Sequence, residues 1–115
     1  MGFKLAIGNR VAVQIKGKLP GDSRGSHVNV NFTLEMDRMS QDEVNAAYAS
    51  GDTFADFIVK KCHGWDGQRL VLDESTGNPA AYSEEAMRAL LNAVPDMALW
   101  VWRSYMRDLG MQEKN

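Results

Sequence analysis

Residues 28–36 alternate without a break: Val28, Val30, Phe32, Leu34 and Met36 are apolar, and Asn29, Asn31, Thr33 and Glu35 between them are polar. A period of two over nine residues fits a pleated strand and not a helix, whose 3.6-residue turn would scatter these side chains around its circumference. The strand must have one dry face and one wet face, which points to a sheet covered on one side only. Val11, Val13 and Ile15 form a second such series, and Phe3, Leu5 and Ile7 share one parity before it. Between the two main series, residues 18–26 include Pro20-Gly21-Asp22-Ser23-Arg24-Gly25-Ser26, which has turn chemistry and no apolar load. The expectation is a pair of antiparallel strands joined by a mobile loop over 18–26, with Gly8 and Asn9 as a further turn or bulge. Such a half-apolar sheet does not stand alone in water, so the face carrying Val11, Ile15, Val30 and Phe32 requires a cover.

The cover reads as helical. Ser40-Gln41-Asp42-Glu43 has the spacing of a capping box, with Met39 placed to pack against Val44 and an apolar stripe of Val44, Ala47 and Tyr48 behind it. That helix is expected to stop near Gly51, with Asp52 or Thr53 capping a second helix in which Phe54, Phe57, Ile58 and Cys62 share a side and Gly64 marks the end. From Trp65 to Tyr82 turn residues predominate around Leu70, Val71 and Leu72, which suits a small hairpin or a packed loop. Ser83 then stands ahead of Glu84 and Glu85 as an N-cap, and Ala86, Met87, Leu90, Leu91 and Val94 form the buried side of a third helix. Pro95 fits the first turn of a final helix through Met97, Trp100, Val101, Ser104, Met106 and Leu109 to Gly110. The fold class expected is α+β, an N-terminal antiparallel β-hairpin or small sheet covered by a C-terminal group of three to four helices. Its 115 residues fit one domain over 1–115, with 111–115 as a frayed tail.

Composition narrows the function classes. A lone Cys62 makes no internal disulfide, so the fold rests on its core, as suits a reducing compartment. No apolar run approaches the eighteen residues of a membrane span, and the first residues do not read as a secretion signal. Net charge is −2, with basic and acidic residues interspersed, which offers no electrostatic footprint for nucleic acid. Cys62 and His63 are two possible metal ligands or a nucleophile and its base, but His27 is the only other histidine and adjacent helical residues diverge by about 100°. Cys62 is better read as a core residue. Asp66, Asp73 and Glu74 lie among turn formers, where solvated turn-making is their ordinary role, and no phosphate loop occurs. No catalytic residue, metal ligand or cofactor is assigned, and the chain is expected not to be an enzyme.

The last helix carries more bulky apolar material than one face can hold. Trp100 and Trp102 are separated by about 200° on a helix, and Tyr105 and Met106 widen the surface further. Either the helix is clasped on two sides or part of it meets a partner. On this reading Trp100 and Val101 face the core, and Trp102, Tyr105 and Met106 are the candidate protein-interaction residues.

In order along the chain stand Arg38-Met39-Ser40-Gln41-Asp42-Glu43, Trp65-Asp66-Gly67, Asp73-Glu74, Gly77-Asn78-Pro79, Tyr82-Ser83-Glu84-Glu85-Ala86, Leu90-Leu91, Pro95 and the stretch from Ala98 through Tyr105. This order resembles the tail assembly chaperones of long, non-contractile-tailed bacteriophages and their prophages, over roughly Val11 to Leu109, with added polar length at Glu74-Ser75-Thr76 as a departure. The resemblance implies a non-enzymatic protein of the host cell cytoplasm that binds the tape measure protein, keeps its apolar helices soluble and helps recruit the major tail tube protein. It further implies absence from the mature virion and, in some members, a longer frameshifted form. Self-association into a homo-oligomer is a companion expectation. A structural tail-completion or tube-adaptor protein retained in the particle is the alternative, kept open by the 18–26 loop, whose tip could order at subunit contacts. Neither nucleic acid nor membrane is an expected partner.

Overall fold

The structure, a computed structural model, describes residues 2–111. Strands β1 (Arg10–Pro20) and β2 (His27–Asp37) pair antiparallel along their whole length, from Arg10 opposite Asp37 to Pro20 opposite His27. The turn between them occupies only residues 21–26, closed by Gly21 N–H to the Ser26 carbonyl at 2.9 Å, with Gly25 at φ +80°. Lys18, Leu19 and Pro20, expected in the loop, are thus strand residues: the odd-numbered apolar series of β1 continues to Leu19 and keeps pairing with β2. The 112–115 part of the expected frayed tail lies outside the described residues.

Helices α1 (Gln41–Ala49) and α2 (Phe54–Lys61) follow, then a short strand β3 (Cys62–Asp66), then α3 (Glu84–Ala93) and α4 (Met97–Leu109). The sheet has three antiparallel strands in the order β1-β2-β3, with four helices among the described residues. The α+β expectation holds. Its details differ in three further places. The second helix stops at Lys61 rather than Gly64, because Cys62 turns extended and begins β3. Pro95 lies in the elbow before α4 rather than in its first turn, with Asp96 at φ +63° as the N-cap. Phe3, Leu5 and Ile7 form no strand and stand in solvent at 98%, 73% and 55% exposure, since no neighbouring strand lies beside them.

The caps carry out what their spacing promised. Ser40 Oγ accepts from Glu43 N–H and Glu43 Oε1 accepts from Ser40 N–H, each at 3.2 Å. The Ser40 N–H and the Lys61 ammonium hold the Glu43 carboxyl below its usual range, and Lys61 also ties α1 to the end of α2. Thr53 caps α2 by accepting from Asp56 N–H at 3.2 Å, and Ser83 caps α3 by accepting from Ala86 N–H at 3.0 Å. Residues 67–82 form a packed loop with a bridge between Leu72 and Pro79, in which Gln68 is buried and its amide bonds the backbone of Leu70, Val71 and Ala80.

The dry face of the hairpin, Val13, Ile15, Val30, Phe32, Leu34 and Met36, is buried against Ile58 of α2, Met87 and Leu90 of α3, and Met97, Val101 and Tyr105 of α4. Each large side chain taken wholly out of water contributes about 1.5–3 kcal/mol, so this cluster supplies most of the cohesion. Helix α4 lies across β1 and is fastened at three points. The Trp100 ring rests over Gly17, where an added Cβ would meet its Cζ2 at 2.9 Å. Tyr105 Oη donates to the Asp37 carbonyl. At the helix end, Asp108 accepts from Gln14 N–H at 3.0 Å while Arg107 donates to the Gln14 carbonyl at 2.8 Å.

Ser83→Ala is expected to lower stability by about 1 kcal/mol, because the Ala86 N–H loses its acceptor while the core is untouched. Chemical denaturation should show a lower midpoint with an unchanged slope.

Candidate interaction surface

Two faces of α4 are occupied by different neighbours, and this decides which aromatics meet solvent. Trp102 is enclosed by an aromatic cage. Phe54 stacks on it at 5.2 Å between centroids, while Phe57, Tyr48 and Tyr105 approach edge-on at 6.0, 5.8 and 6.0 Å. Its indole N–H donates to Tyr48 Oη at 3.2 Å, which satisfies the one polar atom that burial would otherwise strand. Trp102 is 3% exposed and Tyr105 0%, and Met106 is half-buried against the core. The expected exposure of Trp102 and Tyr105 is therefore corrected: α1 and α2 clasp the side of α4 that faces away from the hairpin. Replacing both by Ser would empty the core rather than trim a surface.

Trp100, expected in the core, is the exposed aromatic of the helix at 49%. One edge of its ring fills the gap that Gly17 leaves in the odd-numbered apolar series of β1, and the rest faces solvent. Beside it opens a cleft of about 100 Å³ walled by Ile15, Leu19 and Val30 of the hairpin and by Val94, Pro95 and Met97 at the α3–α4 elbow. Lys18 and Asp96 stand at the same cleft and supply one charge of each sign. An apolar slot with a large aromatic at its lip suits an apolar side chain of a protein partner better than a polar metabolite.

The groups weighed for chemistry are held apart or committed elsewhere. Cys62 is buried, its thiol directed at the Gly64 carbonyl at 3.5 Å, and burial pushes its pKa up. His63 Nε2 lies 2.7 Å from Asp37 Oδ1 on the neighbouring strand, where Arg10 also approaches Asp37 at 3.4 Å. His27 pairs with Pro20 at the far end of β2, some nine residues and about 30 Å from the position opposite Cys62. Asp73 accepts from Ser75 Oγ, Ser75 N–H and Thr76 N–H, and the Ser75 hydroxyl first among these holds its carboxyl below the usual range. It is the hinge of a turn. Among the described residues no group of three His, Cys, Asp or Glu side chains is placed to hold a metal ion, and no helix is long and apolar enough to cross a membrane.

The motif residues of Trp65-Asp66-Gly67 and Tyr82-Ser83 have structural roles. Trp65 Nε1 donates to the Ala80 carbonyl at 3.0 Å, Gly67 adopts φ +84°, and Tyr82 Oη donates to the Cys62 carbonyl at 3.1 Å. They fasten the 67–82 loop to β3. Comparison with protein-family models, with curated proteins and with solved structures finds no match to this chain.

A buried thiol with a raised pKa presents little thiolate at neutral pH. Cys62 should react with a disulfide reagent at pH 7.5 at least tenfold more slowly in the folded protein than in denaturant, followed by absorbance of the released thiol.

Proposed function

We propose that this chain is a non-enzymatic tail assembly chaperone that takes up apolar helical segments of a phage tape measure protein and keeps them soluble until tube subunits assemble around them. The observation that carries the reading is the apolar cleft beside the half-exposed Trp100, since a client helix presents bulky apolar side chains at regular spacing and a shallow slot takes one at a time. Contacts of this kind are weak singly and accumulate along a long client, which allows tube subunits to displace them. The ordered motifs that resemble the chaperone family lend support of a different kind. They fall on the residues that set the caps and the 67–82 loop, so they bear on the shared framework and not on the client contact.

The contact belongs to Trp100 and not to Trp102. Co-expression with the tape measure protein of the same genome, followed by co-purification, tests this directly. Trp100→Ser should weaken client binding about 30-fold, equivalent to about 2 kcal/mol, and lower the melting temperature less than Trp102→Ser, which empties the aromatic cage. A wild-type protein that neither solubilises nor co-purifies with that client would overturn the reading. Stoichiometric presence in purified mature tails would replace it with the retained tail component.

A further inference from the structure

Strand β2 is eleven residues long and β3 only five, so one edge of β2 is left without a strand beside it. Strand geometry identifies the part concerned. Gln14 gives its N–H and carbonyl to Asp108 and Arg107, hence away from β2. Its partner Thr33 must then point its own backbone groups away from β1, toward β3, and so must every second residue of β2. Asn31 and Asn29 share that parity. β3 reaches only as far as Thr33, opposite Asp66, and the chain then turns off through Gly67. A slot follows along Val28 to Phe32, walled on its far side by Gly67, Arg69 and Leu70. Val28 lies on the dry-face parity yet is exposed, which marks where the cover runs out.

The two outer edges of the sheet are treated differently. The β1 edge is stoppered at Gln14 by Arg107 and Asp108 and carries Lys16, Lys18 and Pro20, all of which discourage strand addition. The open stretch of β2 offers neutral Asn29, whereas the Asn31 carbonyl already faces Gly67, where an added Cβ would lie 3.9 Å from it. Residues 3–7 have the complementary pattern, with Phe3, Leu5 and Ile7 on one parity and Lys4 and Ala6 on the other. Laid beside the end of β2, this segment would extend the dry face next to Val28 and Val30 and the wet face next to Asn29.

We propose that residues 3–7 of one copy add as a strand to the open edge of β2 in a second copy. The same chain cannot supply them. Arg10 stands opposite Asp37, so Asn31 lies about 20 Å further along the sheet and on the far side of β2, whereas Ile7 to Arg10 spans at most about 11 Å. Pairing is therefore between copies, and it hides three apolar side chains that the single copy exposes.

The full chain, with any tag at its C-terminus, tests this by sedimentation without any client present. Wild-type protein should associate in a concentration-dependent way. Leu5→Asp disables the segment, and Asn29→Pro disables the edge, where the proline removes an N–H that points away from β1. Each variant should weaken association at least tenfold with an unchanged melting temperature for the monomer. Mixed in equal amounts the two variants should form a one-to-one pair, because one copy keeps the edge and the other the segment. A wild-type protein that stays monomeric to about 100 µM overturns the proposal. So does undiminished association of either variant, or failure of the mixture to pair.

Discussion

The lacing of α4 across β1 is the contact on which the rest of the fold depends. A two-stranded ribbon with one dry face has no stability of its own, and α4 lies directly on that face of β1. Its three fastenings act on different parts of the hairpin. Trp100 sits over Gly17 toward the tip, Tyr105 reaches the Asp37 carbonyl at the base, and Arg107 with Asp108 takes up the free backbone groups of Gln14 between them. With α4 so placed, its opposite side becomes a second dry surface. Helices α1 and α2 close over that surface through the cage around Trp102, so one helix joins both sides of a single core.

The parts of this fold that sequence reveals are those whose causes are local. The caps at Ser40, Thr53 and Ser83 depend on residues three positions apart, and the long alternation of β2 depends only on its own two faces. β3 was hidden because its pairing breaks period two. Cys62 opposes Met36 and Trp65 opposes Leu34, so a shift in register places three steps of β3 against two of β2, and the apolar residues fall three apart. The segment at Phe3, Leu5 and Ile7 shows the opposite case, where alternation is present and no partner strand lies beside it in the single copy. Alternation makes a strand possible; a neighbour makes it real.

The candidate interaction surface was legible only in part, and for a geometric reason. The spacing of Trp100 and Trp102 required two differently occupied faces, but nothing in α4 itself says which face meets the hairpin and which the other helices. The discriminating signal lay elsewhere, at Gly17, the one position of the odd-numbered series in β1 that lacks a side chain. A gap of that kind in an otherwise filled face calls for a ring from outside, and Trp100 supplies it. The motif residues Trp65, Gly67, Tyr82 and Ser83 were conspicuous for the opposite reason, because they hold turns and caps together and leave the cleft to less distinctive apolar residues.

Met36, Met39, Met87 and Met97 are buried in the core, contributed by β2, the turn before α1, α3 and α4. Thioether chains are unbranched and change rotamer cheaply, so a core built on them yields to small displacements of the helices without opening voids. The same chemistry makes the interior the place where oxidative damage would matter. Conversion of any of these sulfurs to a sulfoxide would force a polar group into a dry site, so the protein's vulnerability to oxidants resides in its thioethers rather than in its single shielded thiol.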